Sequence, residues 1–339
     1  MDTTKREMMK ERDILSSLPD DVLSSIISYL PPKEAVRTSI LSRRWSRTWW
    51  GSITSLSIDV HTMNRQPTFS GSISAYASDW IENINKWIDV IDKILRSCQG
   101  SIRDCQINCC PPRYVTLTYE RLARDVMERL VFSYERWAEI LTRGGIERFA
   151  FFSNDGRDKV PSVILNCNSM RFLVLNNCLL EPKFSFDGCR YLKVLTLVKI
   201  NFLGHPIHHA ISRCVHLEKL YLFHCYGTED LTIHVQNLKY LFTWLDTKMT
   251  IDINGPNLTA MVLVLEAEVG VKRFCVRAPN LQSFYVNTSR TWTEEMLEIS
   301  NRIRSYFVQE VMNIFELCIP SNVNILALLP GSMEVHIID

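Results

Sequence analysis

The sequence predicts an α/β protein: a small unit of three short helices, followed by a curved solenoid of stacked repeats built on a parallel sheet. Two observations carry this expectation. Near the N-terminus, prolines punctuate three short amphipathic segments, and from about residue 101 onward an apolar triad recurs at a nearly constant interval. The 339 residues exceed the usual size of one compact core, which suits a small domain joined to an elongated array.

From Asp13 the chain reads DILSSLPDDVLSSIISYLPPKEAVRTSILSRRWSRTWW. Pro19 fits a first helical turn, where its missing N–H costs nothing, and Asp20 and Asp21 complement the positive end of the helix dipole. Val22, Leu23, Ile26, Ile27 and Leu30 fall on one stripe of that helix, and Pro31 and Pro32 end it. A second short helix opens at Lys33 and Glu34 and carries Ala35, Val36 and Ile40; a third carries Leu41, Trp45 and Trp49 at four-residue spacing. A unit of roughly 40 residues is too small to bury all of these side chains by itself, so part of its apolar surface is expected to face a partner. Arg37, Arg43, Arg44 and Arg47 beside the tryptophans could also be read as a nucleic-acid surface. Tryptophans at helical spacing suit a core or protein interface better than a stacking platform.

The triad apolar-x-x-apolar-x-apolar occurs at Met170, Leu173, Leu175; at Leu192, Leu195, Leu197; at Leu217, Leu220, Leu222; at Leu238, Leu241 with Thr243; at Leu258, Met261, Leu263; and at Leu281, Phe284, Val286. Successive starts lie 22, 25, 21, 20 and 23 residues apart, the spacing of leucine-rich repeats. Ile146, Phe149, Phe151 and Ile102, Cys105, Ile107 keep the same phase upstream, and Ile53, Leu56, Ile58 form a degenerate first copy. Three positions after the triad these repeats favour a buried asparagine or cysteine, here Cys110, Asn154, Cys178 and Cys225. Ile200, Asp246, Glu266 and Ser289 hold that slot in the other copies, so irregular later turns are expected. Stripes at Trp80, Ile81, Ile84, Trp87, Ile88, Ile91, Ile94, Leu95 and at Leu122, Val126, Leu130, Val131, Tyr134, Trp137, Leu141 predict two long helices between the first strands.

The N-terminal unit resembles the F-box of plant F-box proteins: Leu18-Pro19-Asp20, Ile26, Leu30, Pro31-x-Lys33-Glu34-Ala35-Val36, Leu41-Ser42-x-Arg44-Trp45 and Trp49 stand at that family's distances. The stretch WAEILTRGGIERFAFF from Trp137 is similar to the entry into the repeats of its leucine-rich-repeat members. The resemblance divides the chain into a tail at 1–12, an F-box at 13–58, a linker and helix at 59–100, repeats at 101–290, and a C-terminal helix and tail at 291–339. Members often carry a further C-terminal module, which on this reading is cut short or absent. The resemblance implies docking on a Skp-family adaptor, and through it on cullin and RING subunits. Leu18, Pro19, Val22, Leu23, Ile26, Ile27, Leu30, Val36, Leu41, Trp45 and Trp49 are the candidate adaptor-binding residues. The implied function is substrate recognition for an SCF-type ubiquitin ligase; the alternative is a Skp-binding scaffold without ligase activity.

Between the inward triad residues, alternate positions face the open side of the sheet. Tyr221, Phe223, Phe242 and Trp244 would sit there on neighbouring strands, the candidate site for an unknown protein target. The rival reading buries them under other parts of the chain as additional core. Catalytic machinery is not expected: the sequence has no glycine-rich phosphate loop with its lysine, no G-x-S-x-G and no H-E-x-x-H. No metal or cofactor is expected either; His205, His208, His209 and Cys214 are simpler as a turn between repeats than as ligands. With 38 basic against 37 acidic side chains, no global field favours nucleic acid or an anionic membrane. The polar start MDTTKREMMKERD and the absence of a long apolar run argue for a reducing compartment, cytoplasm or nucleus, in which the 11 cysteines are small buried side chains.

Overall fold

A computed structural model describes residues 17–28, 38, 42, 44–45, 53–59, 73–98, 102–109, 120–153, 156, 158–180, 184–202, 207–245, 250–265, 273–287, 326–327 and 336–337. Ten strands form one sheet that is parallel throughout. In sheet order they are β1 (Ser55–Asp59), β2 (Asp104–Cys109), β3 (Arg148–Ser153), β4 (Phe172–Asn176), β5 (Val194–Val198), β6 (Lys219–Cys225), β8 (Tyr240–Leu245), β10 (Ala260–Leu265), β12 (Ser283–Asn287) and β13 (Leu326–Ala327). Each strand pairs with the next at the triad register, as in Leu173↔Leu195 and Leu195↔Leu220. The triad side chains point to one side and are almost completely buried, from Cys105 and Ile107 through Met261 and Leu263. Thr243 is fully buried in its triad slot, with no hydrogen-bond partner for its hydroxyl among the described residues.

Leu56 and Ile58 bury themselves as the earlier triads predict, so β1 opens the sheet although it falls within the range assigned to the F-box. The two long amphipathic stripes form α2 (Ile73–Ser97) and α3 (Glu120–Arg143), after α1 (Asp20–Ser28). Parallel strands need a crossover, and long helices supply it for the first coils. Ile84, Ile88, Ile91 and Leu95 of α2, with Leu130, Tyr134, Trp137 and Leu141 of α3, close the core over the sheet. Asp92 ties the helices together: it accepts from Trp137 Nε1 at 2.6 Å and from Arg136 at 2.7 and 2.6 Å. The connections then shrink to α4 (Ser162–Leu165) and α5 (Ile207–Ile211).

Beyond β6 the return segments are themselves strands, which the triad pattern does not predict; of the turns expected to be irregular, those at Asp246, Glu266 and Ser289 lie outside the described residues. A second parallel sheet runs β14 (His336–Ile337), β11 (Arg273–Arg277), β9 (Thr250–Asn254) and β7 (Asp230–His234). Leu231, Ile233, Ile251, Ile253 and Val276 project from it into the same core. The coil thus changes from strand–helix to strand–strand along its length.

Three columns explain how successive coils stack. Cys167, Cys189 and Cys214, then Val235, Gly255 and Ala278, each precede a triad by three residues, and each backbone carbonyl accepts from the N–H of the triad's first residue. One position before the triad, Asn237, Asn257 and Asn280 donate side-chain N–H groups to carbonyls of the preceding coil at 2.6, 2.9 and 2.7 Å. At the ends of the strands, Asn177, Lys199 and His224 hold positive φ of 48, 52 and 50°, the left-handed conformation that redirects the chain. The residues that follow, Cys178, Ile200 and Cys225, are all buried, so Ile200 keeps the regular geometry of its neighbours. Cys110 and Asn154 lie outside the described residues.

Candidate functional site

Two surfaces follow from this architecture, one on the N-terminal helix and one on the outward face of the ten-stranded sheet. Helix α1 begins as its sequence requires, with Leu23 N–H donating to the Pro19 carbonyl at 3.1 Å. Leu23 is completely buried and Trp45 is 5% exposed; they pack on each other and against Leu18, Ile53 and Ile94. Arg44 fastens the same corner, donating through Nε to Asp20 at 2.7 Å and through a second nitrogen to the Leu18 carbonyl. Ile53 precedes β1 and Ile94 lies on α2, so the helical unit closes its small core against the first coil.

That placement divides the expected docking set by exposure. Leu23 and Trp45 serve the junction with the solenoid and offer little surface to a partner, and Leu18 is half-buried against them. Pro19, Val22 and Ile26 are exposed, with Val22 and Ile26 one turn apart on α1 and flanking the buried Leu23. The side chain of Ile27 and residues Leu30, Val36, Leu41 and Trp49 lie outside the described residues.

On the outward face of the sheet, the register places Ala150, Val174, Thr196, Tyr221, Phe242 and Val262 in one row. Phe152, Asn176, Val198, Phe223, Trp244 and Val264 form the next. The aromatic residues singled out in the sequence do come together: the Phe223 and Phe242 rings lie 4.7 Å apart, and Phe242 and Trp244 pack against Val262 and Val264. His224 lies against Trp244 at 4.1 Å. Exposure differs within the group, however. Phe223 is buried, whereas Tyr221, Phe242 and Trp244 are half-buried. Toward the earlier strands the face is drier still, with Ala150 and Thr196 fully buried and Val174 at 2%. Val174, Thr196 and Val198 therefore lie on the expected side without being open to solvent. Thr196 Oγ1 has no hydrogen-bond partner among the described residues.

From β2 to β10 the charged side chains of this face lie along one flank. Arg148 reaches Asp104 at 3.3 Å and covers the Phe172 ring at 5.0 Å, and Lys219 Nζ lies 5.1 Å from the Tyr240 ring. The two described rows beyond them carry no charge from β3 to β10. Such a surface supplies contact area and shape.

Thiols and imidazoles lie elsewhere. Cys189 donates to the carbonyls of Ile164 and Leu165 at 3.4 and 3.2 Å, and Cys225 to that of Leu197 at 3.4 Å. Burial raises the pKa of Cys105 and Cys178 and pushes Cys189 and Cys214 up to about 12, which keeps these thiols protonated and unreactive. The His208 and His209 rings lie 3.9 Å apart on α5, tilted by 40°, and His205 lies outside the described residues. Among the described residues, no group of three or more His, Cys, Asp or Glu side chains could hold a metal ion. Burial, then His209, then His234 lower the pKa of His208 below its ordinary value of 6.5. A neutral form favoured by folding stabilises the protein above the unfolded pKa, and that contribution is lost as pH falls toward the folded value. The denaturant midpoint is therefore expected to decline on acidification below about pH 6.5, and His208→Gln should flatten the decline; equal slopes in both proteins would refute the assignment.

Two family models match the chain. One is the F-box domain, over residues 15–52, and the other is described as At1g61320/AtMIF1, LRR domain, over residues 115–291. Among curated proteins of Arabidopsis thaliana, the F-box/FBD/LRR-repeat protein At1g13570 is 27% identical over 75% of this chain and 54% of its own length. The putative F-box protein At1g67390 is 25% identical over 85% of this chain and 56% of its own. The F-box/LRR-repeat protein At3g03360 is 27% identical over 63% of this chain and 39% of its own. The chain spans about half the length of the curated relatives it matches. No helix among the described residues is long and apolar enough to cross a membrane.

Proposed function

The chain belongs to the plant F-box/leucine-rich-repeat family, and from that premise we propose that it is the substrate-recognition subunit of an SCF-type ubiquitin ligase. In this reading α1 docks on a Skp-family adaptor, cullin and RING subunits assemble through that adaptor, and the sheet face holds a protein target. The observation that carries it is the exposed apolar pair Val22 and Ile26, on a helix fastened to the solenoid through the neighbouring, buried Leu23. An apolar pair of this kind on so small a helical unit is the surface a partner would cover. The ligase chemistry itself would come from the other subunits. This chain contributes proximity, raising the effective concentration of a target lysine near the ubiquitin carrier.

The test is co-purification. The full chain should recover a Skp-family adaptor together with a cullin; recovery of the adaptor with no cullin would favour the scaffold reading instead. For the target face, Tyr221→Ala combined with Trp244→Ala should lower target recovery at least tenfold while adaptor recovery is unchanged. Truncating two aromatic anchors costs about 2 kcal/mol or more together at an interface. These positions suit the test better than Phe223, whose buried ring supports its neighbours. Unchanged target recovery from a variant that melts like the parent would assign the patch to the core.

A further inference from the structure

Away from both surfaces, the outward side of α3 carries Phe132, 72% exposed and the most exposed large apolar side chain among the described residues. It borders a groove of about 350 Å³ lined with Asp92, Glu128, Arg129, Ser133 and Arg136. A bare phenylalanine flanked by arginines has the composition of an interface anchor. The charges around it are arranged in a particular way. Glu128 and Arg136 lie four residues before and after Phe132, and Arg129 and Glu135 three residues before and after. All four share its face of the helix, because positions three and four apart are neighbours.

We propose that this face of α3 binds a second copy of the chain, with the two helices crossing antiparallel about a two-fold axis at Phe132. In such a crossing, positions equally far before and after the axis meet each other. Glu128 then faces Arg136 of the other copy, and Arg129 faces Glu135, each pair occurring twice. The ring of each Phe132 enters the groove of the opposite copy. An unrelated partner would have no need of charges that are complementary under reversal, and this is the reason to choose a second copy. Arg129 and Arg136 are held in place from within, by Asp89 at 2.9 Å and Asp92 at 2.6 Å, yet keep 47% and 42% of their side chains exposed. The crossing angle of packed helices confines contact to about two central turns, which leaves Glu139 outside, paired with Arg143 at 2.8 Å. A contact of this extent falls short of the area of a permanent dimer, so a reversible one of micromolar affinity is expected.

Sedimentation velocity on the full chain, over a concentration series to hundreds of micromolar, decides the matter. The parent should pass from monomer to dimer and stop there. Phe132→Ser should remain monomeric with an unchanged melting curve, since the side chain is exposed. Glu128→Arg, which sets two arginines against each other twice, should weaken the dimer at least tenfold, and more so at low salt. A parent that stays monomeric throughout would overturn the proposal, as would self-association that persists in Phe132→Ser.

Discussion

Replacing Val22 and Ile26 together by aspartate is expected to lower affinity for a Skp-family adaptor at least 100-fold, with no change in the melting of the repeats. Val22 and Ile26 are 38% and 37% exposed, and lie one turn apart on α1, beside the buried Leu23. Covering that remaining apolar area contributes about 0.5 to 1 kcal/mol per side chain. Placing a carboxylate in the same contact adds the cost of desolvating a charge without a partner, several kcal/mol for an ion removed from water. A loss of about 2.8 kcal/mol already corresponds to 100-fold. Because both side chains reach solvent and neither belongs to the cluster of Leu23 and Trp45, the junction with Ile53 and Ile94 should survive. Leu23→Ala makes the opposite case: it opens a cavity in that junction and should lower stability first, with adaptor binding affected through it. An isotherm at parental affinity for the aspartate pair, measured beside an unchanged melting curve, would remove α1 from the docking surface.

The contrast between Val22 and Leu23 shows where the sequence stops being informative. Both belong to one apolar stripe, and helical periodicity places them on adjacent positions of it. Nothing local says that Leu23 meets Trp45, Ile53 and Ile94 while Val22 stays open, because the deciding contacts come from residues 22 to 71 positions away. The repeats were legible for the complementary reason. Each triad lies within six residues and recurs, so the strands from β2 to β12 and the direction of their side chains follow from pattern alone. The second sheet was missed because alternation such as Asp230-Leu231-Thr232-Ile233 is too short to stand out without the first sheet beside it. A signal for the asparagine column was present in Pro256-Asn257-Leu258 and Pro279-Asn280-Leu281, repeated 23 residues apart. The buried state of Val174 and Thr196 could not be read at all, since period-two alternation gives the face a residue occupies and says nothing of what lies over it.

Gly188→Ala is expected to be among the most damaging single substitutions in the described chain, although it adds only one methyl group. Gly188 lies in the turn between Phe186 and Cys189, where one coil presses on the end of α4 in the coil before. A Cβ at this position would overlap the backbone Cα, C and O of Asn166. Backbone cannot step aside as a flexible side chain can, so one coil must move away from the other. The same movement would pull Cys189 Sγ from the Ile164 and Leu165 carbonyls, the last carbonyls of α4, to which it now donates. Overpacking a close contact costs about 1 to 3 kcal/mol, and an unsatisfied buried polar group adds about 1 to 3 more. In a solenoid, stability is carried by interfaces between neighbouring coils, so damage at one of them weakens the array on both sides. At about 2 to 4 °C per kcal/mol for a domain of this size, the melting temperature should fall by roughly 5 to 15 °C. Gly255→Ala is the control, because its nearest neighbour is the Leu258 side chain at 3.1 Å, which can yield by a few tenths of an ångström. Its cost should be within about 1 kcal/mol. If Gly188→Ala melted within a degree or two of the parent, or no lower than Gly255→Ala, the close approach of these two coils would not exist in the folded protein.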